Sequence, residues 1–381
     1  MQALPPISSW APGTQRWLVA LLFLMALAAA FWRAPQPEPA AFLAPPAPSE
    51  KTLPPIQQAE MLPGMGETAG TPSLTRLADG RLACAWRSSS EGKHEQTTIW
   101  FSTRESTGWS EPRPIANREY TAGAIFAHIQ RIDSPIIHQH GDLLHLWYAA
   151  TGVAGHAGQT IIHSLSNNGG LHWTTPARLQ TSPFGNNGML LRAPPIPLDD
   201  GGLALPLSQH LFSPHGEWLR LTANGQILEK ARMPHDVPSS HPAALALDTN
   251  RAIALLQDGT AERLRAVSSD NGGRSWQAID FPALPNPDSP VALVRLPSGR
   301  LLLAGNTAAG RGNLALWIGD ANAREWRLAR TIESAADGAA DFSEPSLLAA
   351  PDGWIHLAYN WRRQGIRYMS FSEAWLDGGD Q

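Results

Sequence analysis

The chain has 381 residues, room for one large domain or two small ones. With Gly 33, Pro 33 and only 16% charged residues it is no coiled coil or long-helix bundle, and a formal charge of -4, from 29 basic and 33 acidic residues, gives no electrostatic footprint for nucleic acid. An apolar fraction of 43% with 15 Trp excludes a disordered chain, and the single Cys84 excludes both an intramolecular disulfide and a thiolate metal cluster.

Residues 1–16 form an N-terminal leader. Trp17 to Phe31 then reads WLVALLFLMALAAAF, an uncharged apolar run bracketed by Arg16 and Arg33. The 17–32 segment is either a membrane anchor or a signal peptide. Ala28-Ala29-Ala30 supplies a small-residue cleavage site, but a 16-residue leader with one Arg makes a poor n-region, which favours the uncleaved anchor. The expectation is a single-pass inner-membrane protein with its folded domain in the periplasm or outside the cell. Residues 33–55, rich in Pro, Ala and Glu, predict a stiff spacer, and the folded domain is expected from residue 56 to 381.

The body lacks sustained helical periodicity; short runs of branched and aromatic residues alternate with Gly, Asp and Asn turns, which predicts all-β structure. One hairpin recurs six times, opening on Pro72, Pro135, Pro194, Pro242, Pro290 and Pro345 and turning at Gly80, Gly141, Gly201, Asn250, Gly299 and Gly353. The turns lie roughly 50 to 60 residues apart, a repeat period. A second marker follows the hairpins: Ser166-x-Asn168-x-Gly170-x-x-Trp173 and Ser269-x-Asn271-x-Gly273-x-x-Trp276 match one pattern, weaker versions end at Trp109, Trp326 and Trp375, and Asn224-Gly225 is a candidate for the sixth. Six units of four strands that cannot bury both faces alone predict a six-bladed β-propeller.

The Ser-x-Asn-x-Gly-x-x-Trp boxes resemble the Asp-box of sialidases and other BNR-repeat proteins. The stretches Pro285 to Leu303, Asp341 to Tyr368 and Ala85 to Arg104 resemble the sialidase-like BNR-repeat family labelled predicted neuraminidases, over about residues 70 to 376. The resemblance implies that the boxes lie between the third and fourth strands, opposite the functional face. That face is then built by residues just before strand one and just after strand two of each blade.

Before the six Pro residues stand Gly70-Thr71, Asp133-Ser134, Arg192-Ala193, Ser240-His241, Asp288-Ser289 and Ser343-Glu344; seven residues past each turn stand Arg87, Tyr148, Ser208, Gln257, Asn306 and Asn360. Arg263, Arg265, Arg311, Arg362 and Arg363 follow strand two in the later blades. So many guanidiniums at one mouth predict a site for a carboxylate or other anion; each is equally a candidate strut to Asp133, Asp288 or Glu344. By the resemblance, Arg311 corresponds to the third arginine of the sialidase triad, Arg263 or Arg265 to the second, and Glu91 to the acid/base Asp. Gly70 stands where the first arginine belongs, and Phe342 where the catalytic Tyr belongs.

The candidate catalytic residues are therefore Glu91, Asp133, Glu344, His241 and Tyr359, the last as a displaced nucleophile or a core residue. The candidate binding residues are Arg87, Arg192, Arg263, Arg265, Asp288, Asn306, Arg311, Asn360, Arg362 and Arg363. The 13 His show no metal-ligand spacing, and neither metal nor cofactor is expected. Two functions fit: a membrane-anchored, sialidase-like glycoside hydrolase acting on an acidic glycan, or a non-catalytic propeller that binds or guides an envelope polysaccharide. In either case a monomer is expected.

Overall fold

The computed structural model describes residues 12–33, 41–48, 53–64, 68–89, 96–181, 188–211, 213–223, 225–260, 262–287, 289–307, 310–335 and 340–378. They fall in two compact units, Met1–Ala40 and Ala41–Gln381.

The first unit contains one helix, Pro12–Arg33, of 22 residues. Its uncharged stretch runs only from Trp17 to Trp32. At a rise of 1.5 Å per residue that is about 24 Å, short of a hydrocarbon core of roughly 30 Å. Among the described residues no helix is long and apolar enough to cross a membrane. This corrects the expected anchor at 17–32, and with it the single-pass inner-membrane placement.

The second unit is a six-bladed propeller of antiparallel sheets. Blade 1 is Thr68–Arg76, Leu82–Ser89 and Thr97–Glu105, with Gly108–Trp109 and Arg113–Asn117 sharing its outer edge. Blade 2 is Arg131–His140, Leu143–Thr151, Gln159–Ser166 and Ala177–Arg178. In blade 3 the inner strand is broken into Met189–Leu191 and Ile196–Pro197, followed by Leu203–Gln209, His215–Leu221 and Ile227–Met233. Blade 4 is Ser239–Ala246, Ala252–Asp258, Leu264–Ser269 and Gln277–Ile279, and blade 5 is Ala292–Arg295, Leu301–Gly305, Asn313–Gly319 and Trp326–Ser334. Blade 6 takes Phe342–Ala349, Trp354–Trp361 and Gly365–Ser372 from the C-terminal end, and its outer strand, Gln57–Met61, from the start of the domain.

The core lies between neighbouring sheets, because each blade is apolar on both faces. Leu314 and Leu316 of blade 5 meet Leu357 and Phe371 of blade 6, for example, all fully buried. Near the axis, serine hydroxyls accept from the next inner strand: Ile137 N donates to Ser73 Oγ at 3.0 Å and Leu74 N to Ser346 Oγ at 3.0 Å.

The boxes fold as expected for polar side chains that close on their own backbone. Ser166 Oγ accepts from Gly170 N at 2.9 Å, Asn168 Oδ1 from His172 N at 2.9 Å, and Trp173 Nε1 donates to Gly170 O at 3.1 Å. Ser269, Asn271, Gly273 and Trp276 repeat the pattern. Asp320 and Ala323 make the same turn before Trp326, with Ala323 at φ 60 where the boxes have Gly. Trp375 sits instead in a short helix, Glu373–Asp377, packed on Phe371 and under Arg330. Asn224 lies outside the described residues.

Two features depart from the expected organisation. Residues 41–48 belong to the propeller unit and not to a spacer: Phe42 is fully buried against Trp218, and its N–H donates to Thr249 O at 2.7 Å. A helix, Arg118–Ile125, joins blades 1 and 2; Asn117 caps it by accepting from Tyr120 N at 2.8 Å.

Candidate functional site

The mouth of the funnel is shaped by a recurring backbone irregularity. In blades 1, 2, 4 and 6 the inner strand slips register at its opening Pro. The residue before that Pro is left-handed in each: Thr71 at φ 52, Ser134 at 54, His241 at 50 and Glu344 at 56. Non-glycine residues in this region cost on the order of 1 to 3 kcal/mol each, so the surroundings must hold them there. Thr71 N donates to Glu344 Oε2 of blade 6 at 2.8 Å, His241 N to Ser208 Oγ of blade 3 at 2.6 Å, and Ser134 N to Asp133 Oδ1 at 2.7 Å. In blade 3 the slip widens into the break that holds Arg192.

The ends of the second strands brace these mouths. Arg87 Nε lies 3.1 Å from Asp133 Oδ1 of the next blade. Asn306, fully buried, donates from Nδ2 to Phe342 O of the next blade at 2.6 Å and also to Asn313 O. Gln257 Oε1 stands 3.0 Å from His241 Nδ1, and Tyr148 pairs its hydroxyl with Thr121 of the helix at 2.9 Å.

Two groups of charge result. Beside the axis, Arg192 Nη1 donates to Glu344 Oε1 at 3.1 Å, and Thr71 Oγ1 is 3.4 Å from Asp133 Oδ1. Burial opposes ionisation of Asp133, but the guanidiniums of Arg87, Arg192 and Arg131 outweigh it and hold the carboxyl below its ordinary range. The second group centres on Asp341: Arg363 Nε donates to it at 2.8 Å, Asn360 Nδ2 at 3.0 Å, Ser343 Oγ also donates, and Arg311 Nη1 lies 3.9 Å away.

Between them lies a cavity of about 160 Å³ lined by Arg87, Arg311, Arg363, Asp341, Glu344 and Asn360 among others. Three arginines from blades 1, 5 and 6 thus face two carboxylates in one concavity. Gly70 makes the approach possible: a Cβ there would stand 3.0 Å from Glu344 Oε2 and 3.2 Å from Arg87 Nη2. The space above Gly70 is therefore filled by Arg87 and Glu344.

Other candidates stand elsewhere. Arg265 Nε lies 2.7 Å and Arg263 Nε 3.7 Å from Asp258, whose side chain is fully buried, so both remain in blade 4 and do not line the cavity. His241 is held between Ser240 and Gln257, with the His210 ring 5.6 Å away. Tyr359 is fully buried and donates to Glu333 Oε1 at 2.6 Å, while its neighbour Asn360 points to the cavity. Burial first, then Glu333, pushes the Tyr359 hydroxyl far above its ordinary range. Phe342 is buried, with Arg362 over its ring at 5.7 Å and over Trp361 at 5.3 Å. Glu91 and Asp288 lie outside the described residues.

Asp341, Thr71 and Arg131 are absent from the sequence-based list. Their signal was positional: Asp341 and Arg131 each stand two residues before a mouth residue, Ser343 and Asp133. Among the described residues no cluster of His, Cys, Asp and Glu is arranged to hold a metal ion.

The model of the BNR repeat-like domain family matches residues 80–357. No curated protein matches the chain. Among solved structures, a Hadza microbial sialidase superposes with a TM-score of 0.67 at 13% identity, over 80% of this chain and 66% of its own. A leech intramolecular trans-sialidase gives 0.65 at 11% identity, over 82% and 69%. A protein of unknown function from Dyadobacter fermentans gives 0.64 at 14%, over 82% and 97%. The likeness is one of fold, and the chain spans about two thirds of the length of the sialidase.

Proposed function

Because the chain belongs to the BNR repeat-like domain family and has the sialidase-like six-bladed fold, we propose that it binds an acidic glycan in the funnel, with Arg87, Arg311 and Arg363 as the anion clamp. The observation that carries this reading is the convergence of those three arginines, from three blades, on one cavity. A guanidinium fork grips a planar carboxylate through two parallel hydrogen bonds, which suits these arginines to an anionic ligand. Asp133, Asp341 and Glu344 are all engaged by arginine, so they act as acceptors and positioners of those guanidiniums.

Arg311 is the residue to test. Its replacement by Ala should weaken an acidic oligosaccharide by about 1.5 to 3 kcal/mol, the scale of a charge-assisted hydrogen bond, and leave a neutral analogue unchanged. A strut between blades would behave otherwise: the melting temperature would drop and both ligands would weaken alike.

A second reading, hydrolysis, is favoured by Asp133 and Glu344 both reaching Thr71, which sets two carboxylates close together as glycosidases require. It also needs a proton donor, the role expected of Glu91. The tyrosine route is closed at Phe342, which has no hydroxyl, and Tyr359 is committed to Glu333. Incubation of the chain with aryl sialosides and aryl uronides decides between the readings; turnover abolished by Asp133→Asn or Glu344→Gln would establish hydrolysis.

A further inference from the structure

On the face opposite the funnel, where blade 6 meets blade 1, lies a cavity of about 340 Å³. At its base the Tyr368 ring is buried beneath the Arg104 guanidinium, 5.5 Å from the centroid, and the Tyr368 hydroxyl pairs with His356 Nδ1 at 2.8 Å. Arg76 and Arg81 come from the first hairpin of blade 1, Asp352 and Trp354 from the first turn of blade 6, and Gln58 from the closing strand.

The three arginines differ in what neutralises them. Arg104 is paired with Glu60 at 3.0 Å, and Arg81 with Asp79 at 2.7 Å and Glu105 at 2.5 Å. Arg76 is exposed, and among the described residues it makes no ion pair. Its Nε donates to Gly80 O at 3.1 Å, which fixes the plane of the guanidinium, while its two Nη groups are not used within the described residues. Gly80 serves this arrangement twice: its φ is 89, and a Cβ would stand 3.4 Å from Arg76 Nη2. The cavity thus holds an oriented guanidinium, a half-buried indole, an exposed carboxylate and an amide.

We propose that this cavity is a second carbohydrate site, for a hexuronate unit of a carboxylated glycan, independent of the funnel. The Arg76 fork takes the sugar carboxylate, Trp354 packs on the apolar face of the pyranose ring, and Asp352 and Gln58 take ring hydroxyls. A neutral sugar leaves Arg76 unmatched. Inorganic phosphate leaves Trp354, Asp352 and Gln58 without a sugar ring to engage.

Titration calorimetry of the full chain with trigalacturonate and with its methyl ester tests this. Two binding events are expected with the acid. Arg76→Ala and Trp354→Ala each weaken one of them at least about tenfold, Arg76→Lys loses most of it because the fork is gone, and Arg311→Ala leaves it in place. The variants' melting temperatures, unchanged for a surface arginine, establish that the fold survives. Trigalacturonate binding that is the same in Arg76→Ala and Trp354→Ala as in the intact chain overturns the proposal, as does equal binding of the methyl ester, competition by phosphate at equal strength, or no binding. If instead Arg311→Ala changes nothing while Arg76→Ala removes all binding, the funnel reading fails and this one stands.

Discussion

Arg362 and Arg363 form the centre of the turn after the second strand of blade 6, closed by Gln364 N donating to Trp361 O at 3.0 Å. Both have positive φ, 56 and 59, in a turn class whose usual residues are Asn and Gly. Such strain persists where the side chains are needed: Arg363 holds Asp341 and Arg362 lies over Phe342 and Trp361. The double replacement Arg362→Asn with Arg363→Gly should therefore stabilise the domain by about 1 kcal/mol through relief of left-handed strain, while weakening acidic-glycan binding about tenfold. Thermal melts and titration calorimetry on the same sample check both signs. Tyr359 provides the opposite case. Tyr359→Phe removes one buried hydrogen bond and should cost about 1 kcal/mol of stability, with ligand binding unaltered.

At the scale of single elements, the boxes are equivalent as turns and unequal as packing. Trp276 is buried beside Trp218, with centroids 5.0 Å apart, whereas Trp173 is half-buried at the edge of Phe101. Trp276→Ala should cost on the order of 3 to 5 kcal/mol, the range for emptying a buried aromatic site, and Trp173→Ala clearly less. Urea unfolding measures the difference; glycan affinity of the folded fraction should be unchanged in both. The boxes were legible in sequence because Ser, Asn and Gly each have one mechanical role in a turn closed within eight residues. The strand Gln57–Met61 was not, since its partners Arg367 to Phe371 lie at the other end of the chain and five residues carry no periodic signal. Removing it should open blade 6 and expose it to protease. The helix Arg118–Ile125 was also hidden: eight residues with few apolar positions make a weak pattern, and Asn117 was the one clear start signal.

For the molecule as a whole, acid is the informative stress. Burial pushes His138 to about 4, His163 to about 4 and His356 to about 4, and burial with neighbouring histidines takes His145 to about 3. His145 Nδ1 and His163 Nε2 stand 3.0 Å apart, and both rings stack on Trp147. These groups are neutral in the folded chain and take up protons near 6.5 when unfolded. Their contribution is complete above about pH 6.5 and is lost as pH falls toward 4, several kcal/mol in all. Unfolding free energy measured from pH 7 to pH 4 should fall accordingly, and the double variant His145→Gln with His163→Gln should flatten the slope. Among the carboxylates, Asp133 loses its contribution at lower pH still, as the pH falls from the ordinary carboxylate range through its lowered one.

The number of blades followed from the six hairpins, and Arg87, Arg311, Arg363, Asp133 and Glu344 followed from their places at strand ends. What could not be read was their pairing. Asp341 gathers Arg311, Arg363, Asn360 and Ser343 because of a strand slip at Ser343, and no local pattern announces a slip. The separation of Arg263 and Arg265 from the clamp is likewise decided by Asp258, six or so residues away in a neighbouring strand.

The central claim is that the funnel selects an anion. Its most direct test is titration of the chain, in an Arg76→Ala background that silences the opposite face, with a carboxylated oligosaccharide and its carboxyl-reduced analogue. The acid should bind at least about tenfold tighter, and adding Arg311→Ala with Arg363→Ala should erase the difference. Equal binding of acid and reduced analogue, or a preference that survives loss of both arginines, would contradict the account.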